Sequence, residues 1–275
     1  MIFDLHSHST ASDGVLSPQD LVRRAAEQGV DVLALTDHDV MRGLGEAARA
    51  ADELAIELVA GVEISVSWAG RTVHVVGLQV DPACLALVDG LAVNRSGRRE
   101  RALRMAESLA AVGIPGAMEG ALLLAENEEL ISRTHFARFL VGKGYVKDVK
   151  TVFKKFLVRG KPGYVPHQWA GLADAVAWIR QAGGVAVLAH PGRYDMGKEK
   201  QSLLMAEFKD VGGVGLEVVT GSHTKDQVPI YAAHAERFGF FASVGSDFHA
   251  PGEGGRELGR LMPLPDNCRP IWEAW

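Results

Sequence analysis

Short apolar runs alternating with amphipathic stretches set the plan of this chain. Met1-Ile2-Phe3 reads as a strand, and Val32-Leu33-Ala34-Leu35 as a second, buried one. Between them Ser17-Pro18 offers an N-cap and a proline at the first helical position. Leu21, Val22, Ala25 and Ala26 then repeat at helical spacing, and Gly29 closes the helix. An alanine-rich helix over 43–54 leads into a strand around 58–64, and Trp68-Ala69-Gly70-Arg71 turns into another over 72–78. From about Ala83 to about Lys155 strand-like runs vanish while helical periodicity continues, which predicts a helical insertion or cap. Beyond Tyr164-Val165-Pro166 the alternation returns: helix 172–182, strand 185–189, helix 202–209, strand 214–219, helix 228–238 and strand 240–244. About seven strands alternating with helices predict parallel strands, in an α/β barrel or a doubly wound sheet. The domain expectation is a discontinuous barrel of residues 1–90 and 165–275 around a helical cap of residues 91–164.

Composition changes this picture little. The 275 residues are 47% hydrophobic and 23% charged, ordinary values for a chain with a sizeable core. The apolar runs fall short of a membrane span and no secretory-type signal opens the chain, so a cytoplasmic location without membrane partners is expected. Cys84 and Cys268 lie far apart and outside any CxxC pattern, which suggests neither a disulfide framework nor a thiolate metal site. A formal charge of −5 argues against a duplex nucleic-acid partner.

The histidines change it a great deal. Residues two apart in a strand share a face, so His6 and His8 project together, and Asp13, before Gly14 in a loop, can fold back toward them. Asp37 and His38 end the second predicted strand and Glu63 the third. His74 lies in the fourth, His190 ends the fifth, Glu217 lies in the sixth, and Asp247 and His249 follow the seventh. In a barrel, carboxyl ends of strands share one rim, where such folds keep their active sites. Any one of these histidines alone suits an ordinary core position; together they suit a metal centre. Nitrogen and carboxylate donors without thiolate fit Zn, Mn or Fe rather than calcium, and their number exceeds the roughly four that one ion needs. Two or three ions are expected, with Glu63 free to bridge.

The set His6-x-His8, Thr36-Asp37-His38, Gly61-x-Glu63, His74, Ala189-His190-Pro191 and Asp247-x-His249 resembles the PHP family, the polymerase and histidinol phosphatase metal phosphoesterases. The resemblance covers roughly the first 80 and last 110 residues. It is nearest the stand-alone branch that dephosphorylates nucleoside 3′,5′-bisphosphates and, in some members, trims short RNAs from the 5′ end. It implies a distorted (β/α)7 barrel with a small helical insertion and two to three divalent ions, manganese foremost. The implied ligands are His6, His8, Asp13, His38, Glu63, His74, His190, Asp247 and His249.

The expected chemistry follows. Bound metal lowers the pKa of water from about 16 to about 7 to 9, which supplies hydroxide for direct attack on a phosphoester without a covalent enzyme intermediate. Three ions against the carboxylates of Asp13, Glu63 and Asp247 leave about +3, which favours a phosphate dianion. Asp37 and Glu217 are expected to stand behind the ligands and orient imidazoles, though Glu217 equally suits an ordinary interior carboxylate. Arg133-Thr134-His135 in the cap suits phosphate clamping and protonation of the leaving oxygen, or equally a plain surface Arg-x-His; the resemblance favours the catalytic reading. His223 is a candidate substrate contact, while His167 and His234 are taken as structural. Arg95, Arg98, Arg99, Arg101 and Arg104 read mainly as solvated helix surface, with a funnel for an anionic substrate as the alternative.

The leading expectation is removal of the 3′-phosphate from nucleoside 3′,5′-bisphosphates. The alternatives are 5′→3′ exoribonuclease action on short RNA, a histidinol-phosphate-type phosphatase, and a metal-binding interaction module without catalysis. The sequence leaves the oligomeric state open.

Overall fold

The architecture comes from a computed structural model that describes residues 1–253 and 256–275. Seven strands form one sheet in chain order: β1 (Phe3–Asp4), β2 (Val32–Leu35), β3 (Glu57–Trp68), β4 (Arg71–Leu78), β5 (Val185–Leu188), β6 (Gly215–Thr220) and β7 (Phe241–Gly245). The ends of the sheet meet. Leu5 N–H donates to Val244 C=O at 2.9 Å, Asp247 N–H to His6 C=O at 2.9 Å, and Ser7 bridges Phe248 in parallel, so β7 closes onto β1.

β2 is apolar throughout because both of its faces are covered. Val32 and Ala34 point into the barrel with Leu5, Val59, Val76, Val187 and Ile271. Leu33 and Leu35 point outward against α1 (Pro18–Glu27) and α2 (Leu44–Leu54). α1 starts as its sequence predicts: the Ser17 side chain accepts from Asp20 N–H, with Pro18 in the first turn.

One expectation fails. The strands are not all parallel, because β4 pairs antiparallel with both β3 and β5. The reason is local: Ala69 (φ +45°) and Gly70 (φ +71°) make a two-residue hairpin turn between Trp68 and Arg71, so no crossover helix separates β3 from β4.

Between β4 and β5 run α3 (Leu85–Ser96), α4 (Arg98–Ala110), α5 (Ala117–Leu122), α6 (Arg133–Gly142) and α7 (Val149–Val152), the last continuing into a π-helical turn over Phe153–Leu157. α3 packs on the barrel through Leu87 and Leu91. The later helices gather a separate core that includes Met105, Leu109, Phe136, Leu140, Val152 and Leu157. α8 (Leu172–Gln181), α9 (Lys198–Asp210) and α10 (Gln227–Phe238) cover the returning half of the barrel.

Candidate active site

Six imidazoles and three carboxylates converge on one rim of the barrel. β4 runs opposite to its neighbours, so it delivers His74 to that rim from its first half rather than its carboxyl end. Three groups of donor atoms form there, the atoms of each lying within 4.8 Å of one another. They are His6, His8, Glu63 and Asp247; His8, Asp13, His38 and His249; and His38, Glu63 and His74. His8, Glu63 and His38 each belong to two groups. His190 belongs to none of the three, although its Nε2 lies 2.9 Å from Glu63 Oε1.

The spacing in the first group fits an ion better than a hydrogen-bond network. His6 Nε2 and His8 Nε2 are 3.1 Å apart, each is 3.4 Å from Glu63 Oε2, and they lie 3.5 and 3.3 Å from Asp247 Oδ1. Donors about 2.1 Å from a four-coordinate ion are separated by roughly 3.4 Å. Asp13 Oδ1, Glu63 Oε2 and His38 Nδ1 are buried without a hydrogen-bond partner, a costly state that a bound cation relieves.

Electrostatics point the same way. Burial, with His249 nearby, holds the His8 imidazole down at about 3, and burial holds His74 at about 4 despite the pull of Glu63. Burial opposes charge on Glu63 as well, yet His74, His38 and His6 keep its carboxyl well below the usual range. Asp247 is likewise buried, and Arg193 and His6 hold it low. For His38 burial is outweighed by Glu63 and Asp13, which push it up to about 9. Ionised carboxylates and neutral imidazoles are the forms that bind metal, and the proton on His38 is what a cation there would displace.

Several groups hold the donors in place. His6 Nδ1–H donates to Glu217 Oε1 at 2.6 Å, which turns Nε2 toward the first group. Glu217 Oε2 in turn accepts from His190 N–H at 2.5 Å. Asp37 differs from expectation: it orients no imidazole. Its carboxylate accepts from Ser9 N–H, Ser9 Oγ and Ser12 Oγ at 2.5–2.8 Å, and so pins the loop that carries Asp13. Backbone strain accumulates here too: Asp39, His190 and Asp247 have φ of +50°, +27° and +56°, a cost of about 1–3 kcal/mol each that the surrounding structure must hold.

Beside the donors lies a pocket whose wall includes Arg98, Arg101, Arg133, Arg193, Thr134 and Trp169. Arg133 is the first residue of α6, and Ser132 caps that helix while donating from Oγ to Asp13 Oδ2 at 2.9 Å. One residue therefore ties the insertion to a donor. His135 is buried beneath this turn, held neutral at about 4 by burial, and its Nδ1 accepts from Ser132 N–H at 3.1 Å. It does not line the pocket wall. His223 is not at the pocket either. Its Nε2 accepts from Gly192 N–H and its Nδ1–H donates to Val218 C=O, both at 3.0 Å, which leaves neither nitrogen for a substrate.

The arginine cluster divides. Arg98 and Arg101 are buried, only 4% and 7% exposed, and face the pocket rather than bulk water, whereas Arg99 remains on the surface with Glu128. Arg98 stacks over Trp169 at 4.6 Å and pairs with Asp39, which also accepts from Ser65 N–H and Asn94 Nδ2. Sequence reasoning missed Arg193, Trp169 and Asp39. Arg193 carried one signal, its place three residues beyond His190; the other two carried none, because their partners are remote in sequence.

The chain as a whole resembles known proteins. Residues 4–132 match the PHP domain model, and a 3′,5′-nucleoside bisphosphate phosphatase from Chromobacterium violaceum is 56% identical over 269 residues, covering 98% of this chain and 94% of that protein. The chain belongs to the PHP family. A 5′-3′ exoribonuclease from Haemophilus influenzae, 45% identical, covers 99% of the chain and 98% of its own length. A solved structure from Chromobacterium violaceum, described as an amidohydrolase with bound sulfate and no metal, superposes with a TM-score of 0.97 at 54% identity, covering 100% of this chain and 95% of that one. The seven-stranded PHP barrel is therefore the fold of this chain.

Proposed function

We propose that this protein is a metal-dependent phosphomonoesterase that removes the 3′-phosphate of a nucleoside 3′,5′-bisphosphate. The observation that carries the reading is the adjacency of three overlapping donor groups to a pocket walled by four arginines. His6, His8, Asp13, His38, Glu63, His74, Asp247 and His249 would hold two to three divalent ions, manganese first, with His190 alongside Glu63. Such ions polarise phosphoryl oxygens and lower the pKa of water toward neutrality.

The chain's own groups do the rest. Glu217 keeps His6 in one tautomer and orientation. Arg98, Arg101, Arg133 and Arg193 offer guanidinium forks to the two phosphates, and that geometry favours bidentate phosphate contacts. The hydroxyls of Ser9, Ser12 and Ser132 are bound to Asp37 or Asp13, and among the described residues no serine hydroxyl or cysteine thiol is hydrogen-bonded to an imidazole, which suits direct attack by water. His135, neutral and behind Arg133, positions α6 through Ser132.

The test is phosphate release by manganese-loaded protein from adenosine 3′,5′-bisphosphate and from 5′-AMP. Faster turnover of the bisphosphate and entry of oxygen-18 from water into the released phosphate are expected. Equal rates would remove the second-phosphate preference, and a trapped phosphoenzyme would remove direct attack. A second reading, exoribonuclease action on short RNA, is supported by the likeness to the 5′-3′ exoribonuclease from Haemophilus influenzae.

A further inference from the structure

Outside the pocket, one strongly charged surface has no assigned role. Six lysines and Arg159 fall within residues 143–161 beside a single acid, Asp148. The rest of the chain carries 22 Lys and Arg against 33 Asp and Glu, from totals of 29 and 34, so a formal +6 segment sits on a formal −11 background. The Asp148 carboxylate is already engaged, accepting from Thr151 N–H at 2.7 Å as the N-cap of α7. All seven cations are exposed. The nearby ion pairs join Arg99 to Glu128 and Arg138 to Glu253, and among the described residues none involves the seven.

Local structure explains how the charges come to share a face. Val146, Val149, Val152, Phe153, Phe156 and Leu157 turn inward and pack with the insertion's core. Lys150 and Lys154, four residues apart along α7 and its π-helical continuation, are left exposed with Lys155 beside them, and Lys147 is exposed in the bend before Asp148. A row of uncompensated like charges works against the compact state, which makes it informative where it occurs. The segment that carries the row also reaches the pocket wall through its inner side. The Arg133 guanidinium, on the pocket wall, lies 5.6 Å from the centroid of Phe153, the residue directly before Lys154.

We infer that this face binds the sugar-phosphate backbone of a single-stranded RNA segment, beyond the nucleotide whose phosphate enters the pocket. The inference rests on the phosphate-binding reading of that pocket. An anionic membrane is the less suitable partner: a membrane-bound amphipathic helix inserts its apolar face, and here that face is occupied by the core. A mononucleotide is too short to span both the pocket and the lysine row, so the two substrate lengths separate the surface from the site.

The experiment uses full-length protein carrying Lys150→Glu, Lys154→Glu and Lys155→Glu together, and a gentler variant with glutamine at the same three positions. Circular dichroism and thermal melting check that both fold. Binding of a fluorescein-labelled, hydrolysis-resistant RNA pentamer is followed by anisotropy across a salt series. The glutamate variant should bind at least about tenfold more weakly, with a log-log salt slope shallower by about 2, as expected when three cations no longer neutralise single-strand phosphates. The glutamine variant should fall between, and kcat/KM for adenosine 3′,5′-bisphosphate should stay within about twofold for both. Unchanged pentamer binding, or equal losses on pentamer and bisphosphate, overturns the inference. Wild-type binding to phosphatidylserine vesicles with a salt slope that the variants abolish, while pentamer binding stays intact, overturns it in favour of a membrane. If wild-type protein does not hydrolyse adenosine 3′,5′-bisphosphate, the reading of the pocket fails, and the anisotropy arm still decides the surface.

Discussion

Asp39 illustrates how much of the site depends on a single residue away from the candidate metal donors. Its carboxylate, fully buried, accepts from Ser65 N–H at 2.9 Å and Asn94 Nδ2 at 3.0 Å and pairs with Arg98, while its carbonyl accepts from Arg95 at 2.8 Å. It thereby joins the loop after β2 to α3 and α4, and it fixes Arg98 in the pocket wall. Replacing Asp39 with alanine leaves the Arg98 charge buried without a partner, so a loss of about 3–5 kcal/mol is expected in urea unfolding. The KM for a bisphosphate should rise with it. A loss under about 1 kcal/mol would mean that water or another group compensates Arg98. Adding Arg98→Met to the alanine variant should recover much of the stability and none of the KM. None of this was legible in the sequence, where Asp39 looks like one more acid in an Asp-His-Asp run, 59 residues from its partner.

Among the elements, β7 and the residues just past it show how backbone proximity shapes the donors. Gly245 ends β7 against His6, and a Cβ there would press on the His6 Cβ and approach its backbone nitrogen to 2.9 Å. The obstruction is backbone and the first side-chain carbon, with no flexible end to move aside. Gly245→Ala is therefore expected to displace His6 and lower bound metal after dialysis by about 10- to 100-fold in affinity, measured by metal analysis and competition with a chelator. Retained metal at wild-type affinity would show that β1 shifts as a unit. The insertion was visible as an element from its unbroken helical periodicity, and we propose residues 91–164 as its extent. The inward turn of Arg98 and Arg101 was not visible. Arginines three residues apart look the same on a solvated helix as on one folded over a barrel rim, and only the packing of α4 against Trp169 distinguishes them. The reversal of β4 was half visible, since the hairpin turn was readable but its consequence for pairing with β5 was not.

At the scale of the molecule, closure brings the two ends of the chain together. Phe3 stacks on Trp272 at 3.8 Å, Asp4 accepts from Ser246 N–H and Gly259 N–H, and Arg24 on α1 makes a bidentate pair with Glu257 at 2.9 and 2.7 Å. The Arg24 hydrogen bonds hold the Glu257 carboxyl below its ordinary value near 4.5. A depressed carboxylate contributes stability that is present above that value and is lost as the pH falls through the folded-state pKa. The pair is partly exposed, so its worth is at most about 1 kcal/mol. Glu257→Gln should lower the melting temperature slightly at pH 7, with the difference from wild type vanishing as the pH drops well below 4.5. A constant difference from pH 7 to pH 3 would remove the ion pair as its cause.

The sequence by itself determined the alternation of strands and helices, the helical run between β4 and β5, and the histidines and carboxylates that the rim brings together. Each of these is written locally, in hydrophobic period, in turn chemistry, or in residue types that suit a metal. Tertiary structure alone decided which imidazoles share an ion-sized gap, that His223 spends both nitrogens on backbone, that Asp37 pins a loop, and that two arginines of the cluster line the pocket. Those outcomes depend on distances between groups remote in the chain. Period and propensity do not encode such distances until the barrel closes and β7 is laid against β1.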